Sequence, residues 1–391
     1  MQEQKKIELL RFGGYIGASV NGLLVPILIY TLTGSAAFAG ISMMIEWLPK
    51  LVLYILGGRL AVRWQPAIAH NILDAARIVA LVLLYLCSVK LMPVYMIAVA
   101  AATYQCANAV SNILFENLVT RWWPTESTTA GHTMLLKRDI ESGLVVLIFG
   151  LLITDPSTIL LAAILIQTIV SVMTLCWSKH LHPYIETVKI SIFGTMLATI
   201  KDCRYLPGTG LLPLAWFGLT CGIPIALFYS ALPFYLELAG NGLGSAELIF
   251  AFGLLKTVLN LLALNALQRY IRYHQTEQKS LTCAGILLLL VGIAGIVSNI
   301  SYLIIAGAVW ISLAGAFVIP WARNKRQELL PERMDVRYSL TGVLIAMEAL
   351  SYLVAAVLLI ILDSHILIGM IIAGLLTCSG VYALWRFKLL N

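Results

Sequence analysis

Three stretches of this chain, residues 12–45, 205–236 and 280–322, contain no Asp, Glu, Lys or Arg. A helix that crosses a bilayer needs about 20 apolar residues, so each run holds more than one such helix. Only 12% of all residues are charged, about half the share of a soluble domain. Hydropathy predicts twelve spans, at 10–33, 36–61, 71–89, 92–118, 130–153, 157–178, 210–236, 245–267, 281–299, 302–321, 338–362 and 366–386. The expected fold is therefore an all-α membrane protein. The first apolar run follows Lys5 and Lys6 as a secretion signal would, but Phe12–Thr33 exceeds the usual 7–15-residue signal core and many similar segments follow. It is read as a retained first transmembrane helix.

The net charge of +7 is a matter of topology, not of nucleic-acid binding. With these spans, most of the Lys and Arg residues fall on one side of the membrane. Lys5, Lys6, Arg59, Arg63, Arg269, Arg272, Arg323, Lys325, Arg326 and Arg386 are examples, while Lys90 alone lies outside on the other side. That asymmetry places both termini in the cytoplasm. The seven Cys residues show no paired spacing. Cys87, Cys106, Cys221, Cys283 and Cys378 fall in apolar runs as small packing residues. His180 and His182 sit in the central link, where a solvated loop outweighs a metal role, so no metal site is expected.

The chain also repeats itself. Gly34-Ser35-Ala36 reaches Glu46 ten residues later, and Gly244-Ser245-Ala246 reaches Lys256 at the same spacing. Pro124 and Glu141 recur as Pro331 and Glu348. Two pseudo-symmetric six-helix bundles follow, over 1–178 and 210–391, joined by a cytoplasmic link over 179–209. Within the link, Ile190, Phe193, Met196, Leu197 and Ile200 recur at helical spacing. That pattern suits an amphipathic helix on the membrane surface, but a passive tether between the halves is the preferred reading.

Ionisable side chains inside a membrane cost roughly 3 kcal/mol each on insertion scales and by default mark a solute or ion path. Glu46, Lys256, Glu141 and Glu348 are expected near mid-depth, with Lys50, Lys137, Arg138 and Asp139 around them. Glu46/Lys50 and Lys137/Glu141 are i,i+4 pairs that share a helix face. The repeat sets Glu46 opposite Lys256 and Glu141 opposite Glu348. These groups are either static ion pairs between helices or substrate and proton sites. Asp139, on nearly the opposite face from Glu141, is expected to have a structural partner. Asn21 in the first helix and Gln105, Asn108 and Asn112 in the fourth add a polar stripe, which suits a wet cavity or interhelical hydrogen bonds equally. Tyr104, Trp47, Trp216, Phe217, Tyr229 and Tyr352 are candidate aromatic walls. Pro26, Pro224 and Pro233 sit where a gating helix would bend.

Two loops resemble a known family. Gly57-Gly58-Arg59-Leu60-Ala61-Val62-Arg63 after the second helix resembles the loop motif of the major facilitator superfamily, with Val62 in place of the motif's Asp. Asp74 and Arg77 open the third helix as in its enterobactin-exporter and macrolide-efflux branch. Tyr30-Thr31-Leu32-Thr33-Gly34-Ser35-Ala36 and Arg337-Tyr338-Ser339-Leu340-Thr341-Gly342 are similar to that branch too. The resemblance implies that helices two, five, eight and eleven flank a central cavity. It also implies a cytoplasmic gate at Gly57, Gly58, Arg59, Arg63, Asp74 and Arg77, with Asp74 standing in for the missing carboxylate by pairing with Arg77 or Arg63.

No phosphate loop, metal-ligand cluster or nucleophilic triad is present, so an enzyme is not expected, nor a cofactor. A matched repeat with midplane charges is the plan of a secondary transporter. The reading is a proton-coupled exporter of a siderophore-like chelator in a bacterial inner membrane. Multidrug or macrolide efflux is the alternative, and a channel or importer ranks below both. The expected partners are a small organic substrate, an anionic chelator by preference, together with protons and membrane lipids. No nucleic acid is expected, and the chain is read as a monomer. Glu141, one turn from Lys137 and Arg138, suits the proton path, because a carboxylate whose cation is drawn off by substrate takes up a proton more readily. The topology predicts that a periplasm-active reporter fused after Asn391 gives no signal; a strong signal there means an odd number of spans.

Overall fold

This computed structural model describes residues 2–61, 66–122, 128–153, 155–177, 192–239, 246–273, 278–331, 333–362 and 365–389. They contain helices and no strand. The first six are α1 (Gln2–Thr33), α2 (Ala36–Ala61), α3 (Pro66–Ser88), α4 (Tyr95–Trp122), α5 (Thr128–Leu152) and α6 (Pro156–Cys176). A short α7 (Ile192–Asp202) precedes α8 (Leu211–Ser230), α9 (Leu232–Ala239), α10 (Ala246–Tyr273), α11 (Gln278–Val297), α12 (Ser301–Leu329), α13 (Met334–Ile361) and α14 (Ile366–Arg386). α8 and α9 form one span interrupted at Ala231. Pro233, which lacks an N–H and clashes with the carbonyl four residues earlier, sits in the first turn after the break. With α7 outside the count, twelve spans result, and both chain ends lie on one face, here called the terminal face.

Among the described residues, eight helices are long and apolar enough to cross a membrane, at 8–33, 36–56, 70–88, 156–176, 211–228, 302–323, 339–361 and 366–386. Shorter apolar stretches at 249–263 and 282–297 belong to α10 and α11. α4 and α5 are the more polar spans because they carry the amide stripe and the Lys137–Glu141 charges. The outer faces are apolar: Leu161, Leu165, Ile169, Val172 and Leu175 line the exposed side of α6. Such a continuous apolar face in a helix bundle is a lipid-facing one. Cys87 and Cys221 are buried packing residues, but Cys283 and Cys378, expected to pack, lie on exposed faces.

α1–α6 pack on one another, as do α8–α14, and the two sets meet chiefly along α2 with α13 and α5 with α10. The turns are local. Gly34 takes φ +63°, a left-handed conformation that glycine adopts without cost, and so reverses the chain between α1 and α2. Asp155 caps α6 by accepting hydrogen bonds from Thr158 Oγ1 and N at 2.6 and 2.9 Å. Those bonds hold its carboxyl below the usual range. Within the link, α7 lies on α2 and α13, with Thr195 and Thr199 buried and Met196, Leu197 and Ile200 exposed. His180, His182 and Pro183 of the link, and Val62 and Arg63 of the loop motif, lie outside the described residues.

The pairing expected from the repeat needs correction. α2 runs along α13, not α10, and α5 runs along α10, not α13. A two-fold axis relates α2 to α10 and α5 to α13, but helices that map onto each other need not touch. Each packs instead on the symmetry mate of the other.

Two glycines let α11 and α12 approach. A Cβ on Gly307 would lie 2.5 Å from the Gly292 carbonyl oxygen and 3.0 Å from the Ile296 nitrogen, both backbone atoms that cannot swing away. Gly307→Val is expected to cost about 1–3 kcal/mol through overpacking, read as a lowered Tm of purified protein. Gly22→Ala, with open space around its Cβ, is expected to leave Tm unchanged or raise it. Equal Tm values for the two variants would refute the close approach.

Candidate functional site

A cavity of about 510 Å³ lies between the two sets of helices. α1, α2, α4 and α5 form one wall, and Ser230, Gly253, Thr257, Arg323 and Tyr352 reach it from the other. Its polar content comes from two stripes. On α2, Glu46, Lys50 and Tyr54 recur every four residues and so share a face. On α4, Gln105, Asn108 and Asn112 do the same at i, i+3, i+7.

Lys50 is 3% exposed, and a buried ammonium must be satisfied by the protein. Its Nζ donates to Gln105 Oε1 at 2.9 Å. It also stands 3.4 Å from the Trp47 ring centroid and 5.7 Å from that of Tyr54, a cation held on π-faces. The Glu46 carboxylate, one turn before Lys50 on the same helix face, lines the same cavity. Trp47 stacks on Tyr352 of α13 with centroids 3.5 Å apart and planes within 7°, joining the two walls at mid-depth. Two further cavity-lining groups, Asn21 Oδ1 and Ser42 Oγ, are buried without a hydrogen-bond partner. Orphaned buried polar atoms mark a place for water or a solute.

Behind α4 stand two buried ion pairs. Arg11 grips Asp139 with both a 2.6 Å Nε–Oδ1 and a 2.6 Å Nη2–Oδ2 bond and donates to Asn112 Oδ1, also at 2.6 Å. Arg77 pairs with Asp74 at 3.0 Å and donates to Asn108 Oδ1 at 3.4 Å. Gln167 donates to Asp74 at 2.9 Å. Asp139 therefore has the structural partner expected of it. Asp74 and Arg77, expected at a gate, form the predicted pair, but their partners Asn108, Gln167 and Thr174 belong to α4 and α6. Here the pair braces the first bundle from within. The backbone of Gly57, Gly58 and Arg59 closes α2; their side chains, and that of Lys256, lie outside the described residues.

Other candidates sit away from the cavity. Glu141 is bound by Arg138 at 2.6 Å and by Lys137 at 3.9 Å, and Arg138 reaches Glu8 at 2.7 Å. This cluster ties the second turn of α1 to the middle of α5, and none of its members lines the cavity. Glu348 is bound by Arg326 at 2.9 Å within the second bundle, and its methylene lies over Gly218. Glu141 and Glu348 thus each hold an arginine of their own bundle. Of the aromatic candidates, Trp47 and Tyr352 line the cavity, Tyr104 and Phe217 are buried in the bundles, and Trp216 is exposed. Tyr229's side chain lies outside the described residues.

Sequence reasoning passed over Arg11, Tyr15, Tyr54 and the inward role of Arg323. Arg323 looked like one of many positive residues at a helix end. Arg11 carried a usable signal: it opens a charge-free run, and Arg11 and Tyr15 share a helix face. Among the described residues, no cluster of three His, Cys, Asp or Glu could hold a metal ion.

The chain matches no family model and no curated protein by sequence. Solved structures of similar shape exist. A crystal structure of a point mutant of the nucleoside transporter NupG superposes with a TM-score of 0.72 at 11% identity, covering 99% of both chains. A bacterial homologue of the iron transporter ferroportin in an outward-facing state gives 0.68 at 13% identity, over 98% of this chain and 100% of the other. Its form with soaked iron gives 0.65 at 13% identity, over 97% and 99%. The chain is a multi-pass, all-α membrane protein with the major facilitator fold.

The Arg11–Asp139 fork is expected to behave as a unit. Arg11→Leu alone strands a buried carboxylate and is expected to cost about 3–5 kcal/mol. Adding Asp139→Leu is expected to recover most of that loss, read from Tm and folded yield. A double variant as unstable as the sum of the two single variants would contradict the pairing.

Proposed function

We propose that this protein is a secondary transporter working by alternating access, and that its solute is a small ring-bearing organic anion of the siderophore-like chelator class. The observation that carries this reading is Lys50, a buried cation at mid-depth in a cavity lined by Trp47, Tyr54 and Tyr352. Arg323 adds a second positive charge to the same lining and Glu46 is its carboxylate. A volume of about 510 Å³ falls inside the range of small-molecule sites. Structures of this fold include proteins named as nucleoside and iron transporters, which agrees with a small solute.

The resemblance to the exporter branch supports outward transport, a cytoplasmic location of the terminal face, and a bacterial inner membrane. An inside-negative potential favours exit of an anion by about 2.3 kcal/mol per charge per 100 mV. Proton coupling, on this reading, runs through Glu46 and not Glu141, because Glu46 is the acid that shares the cavity with Lys50. A solute anion that takes Lys50 leaves the carboxylate without its cation, and a proton then binds it more readily. Anion and proton therefore assist each other's binding, a cotransport order in which the outward solute gradient, and not proton entry, drives exit. A cationic solute would instead displace the proton from Glu46. That is the second reading, multidrug efflux, and Glu46 beside Trp47 is the observation that favours it.

The test is counterflow in proteoliposomes with a panel of aromatic carboxylates, catecholates and lipophilic cations. Anion counterflow is expected in the native protein and is expected to fall at least about tenfold in Lys50→Met, as loss of a charged hydrogen bond requires. Counterflow of a lipophilic cation that survives Lys50→Met and is lost in Glu46→Gln selects the second reading. No counterflow of any solute, with passive flux intact, makes the protein a channel.

A further inference from the structure

The three amides of α4 all meet a cation. Lys50 lies against Gln105, Arg77 against Asn108 and Arg11 against Asn112. Ammonium and guanidinium groups have donors only, so each amide must turn its oxygen to the cation and its NH2 group the other way. Asn108 and Asn112 line the cavity, whereas Arg11 and Arg77 stand behind them, anchored by Asp139 and Asp74. Two NH2 groups with two donors each are thus left for the cavity. Across from them on α1, Asn21 Oδ1 is an acceptor buried without a partner. The walls are polarised, with donors on α4 and an acceptor on α1.

We propose that Arg11 and Arg77 are positioning residues that lock Asn112 and Asn108 with their N–H groups toward the cavity, so that α4 selects a solute bearing an oxyanion at one end and a hydroxyl or N–H at the end facing Asn21. This inference rests on the reading of the cavity as the solute site and adds to it the orientation of the solute. Lys50 supplies charge, which any anion would meet. The fixed amides supply direction, because N–H donors reward an oxyanion and are indifferent to a cation. An asparagine free to rotate presents its oxygen as readily as its nitrogen, and such a wall discriminates poorly. Lys50 and Arg11 hold their amides at 2.9 and 2.6 Å, and charge-assisted bonds of this kind are the strong ones. The longer Arg77–Asn108 contact makes Asn108 the weaker of the two selectors.

The experiment compares binding of labelled 2,3-dihydroxybenzoate and its primary amide, 2,3-dihydroxybenzamide, to the full-length protein in lipid nanodiscs. The two probes share ring and hydroxyls and differ in the oxyanion. Native protein is expected to prefer the acid by at least about tenfold. Asn112→Asp, which replaces the NH2 group with a carboxylate oxygen, is expected to erase most of that preference, read as the acid-to-amide ratio. The double change Arg11→Leu with Asp139→Leu removes lock and counter-charge together. It is expected to reduce the acid-to-amide ratio, with Asn112 itself untouched. A purely structural role of Arg11 would weaken both probes alike and leave the ratio where it was, and that result overturns the proposal. So does an unchanged ratio in Asn112→Asp, or a native protein that does not prefer the acid. Lys50→Met separates the two readings. Acid binding unaffected by it places the probe outside the cavity and removes the proposed function as well. Acid binding lost there, with the ratio unmoved in the Arg11/Asp139 double variant, removes this inference alone.

Discussion

A charge inside a membrane protein has no water to retreat to, and the fold is arranged around that constraint. Each buried charge described here meets a partner supplied by another helix or by the next turn. Arg11 meets Asp139, Arg77 meets Asp74, Arg326 meets Glu348, and Lys50 meets Gln105 and the Trp47 ring. Such pairs contribute little net stability, since desolvation offsets most of their attraction, but breaking one is costly. Their effect is to specify which helices pack and in what register. The Arg11–Asp139 fork fixes α1 against α5, and the Asp74 network fixes α3 against α6 and α4.

The same constraint separates rigid parts from a responsive one. Arg11 and Arg77 are held within the first bundle, behind the cavity wall. Lys50 and Glu46 face the cavity, and Lys50 is held there by a neutral amide and an aromatic ring. A neutral mediator shields a charge less completely than an ion pair does, which leaves Lys50 able to exchange partners with an incoming solute. The Trp47–Tyr352 stack spans the two bundles at the same depth. Because dispersion between flat rings falls off steeply with separation, any rocking of the bundles registers first at that contact. Between them these groups connect the cavity lining to the seam between the two bundles.

The polar stripe on α4 resolves a choice that composition left open. Polar residues on a transmembrane helix either line water or tie helices together, and Gln105, Asn108 and Asn112 do both at once. Their oxygens are bound by Lys50, Arg77 and Arg11, and their side chains also line the cavity. An amide has two chemically different ends, and this makes the double role available.

The membrane class, the twelve spans, the helix in the link and the polar faces on α2 and α4 were legible in the sequence, because hydropathy and helical periodicity are local properties. The repeat was legible too, as a spacing. Which helices meet across the repeat was not. Equivalent positions reveal symmetry, while contact depends on how two bundles dock, and so α2 packs along α13 rather than α10. Depth misled in the same way. Glu141 lay at a plausible distance along its helix, yet Arg138 and Lys137 claim it outside the cavity lining. Arg11 and Arg323 looked like flanking charges, and only the packing of α1, α4, α5 and α12 turned one behind the cavity wall and the other into its lining. A chain specifies period and polarity along each helix; the partner of every buried charge is decided by three-dimensional proximity, which no single segment contains.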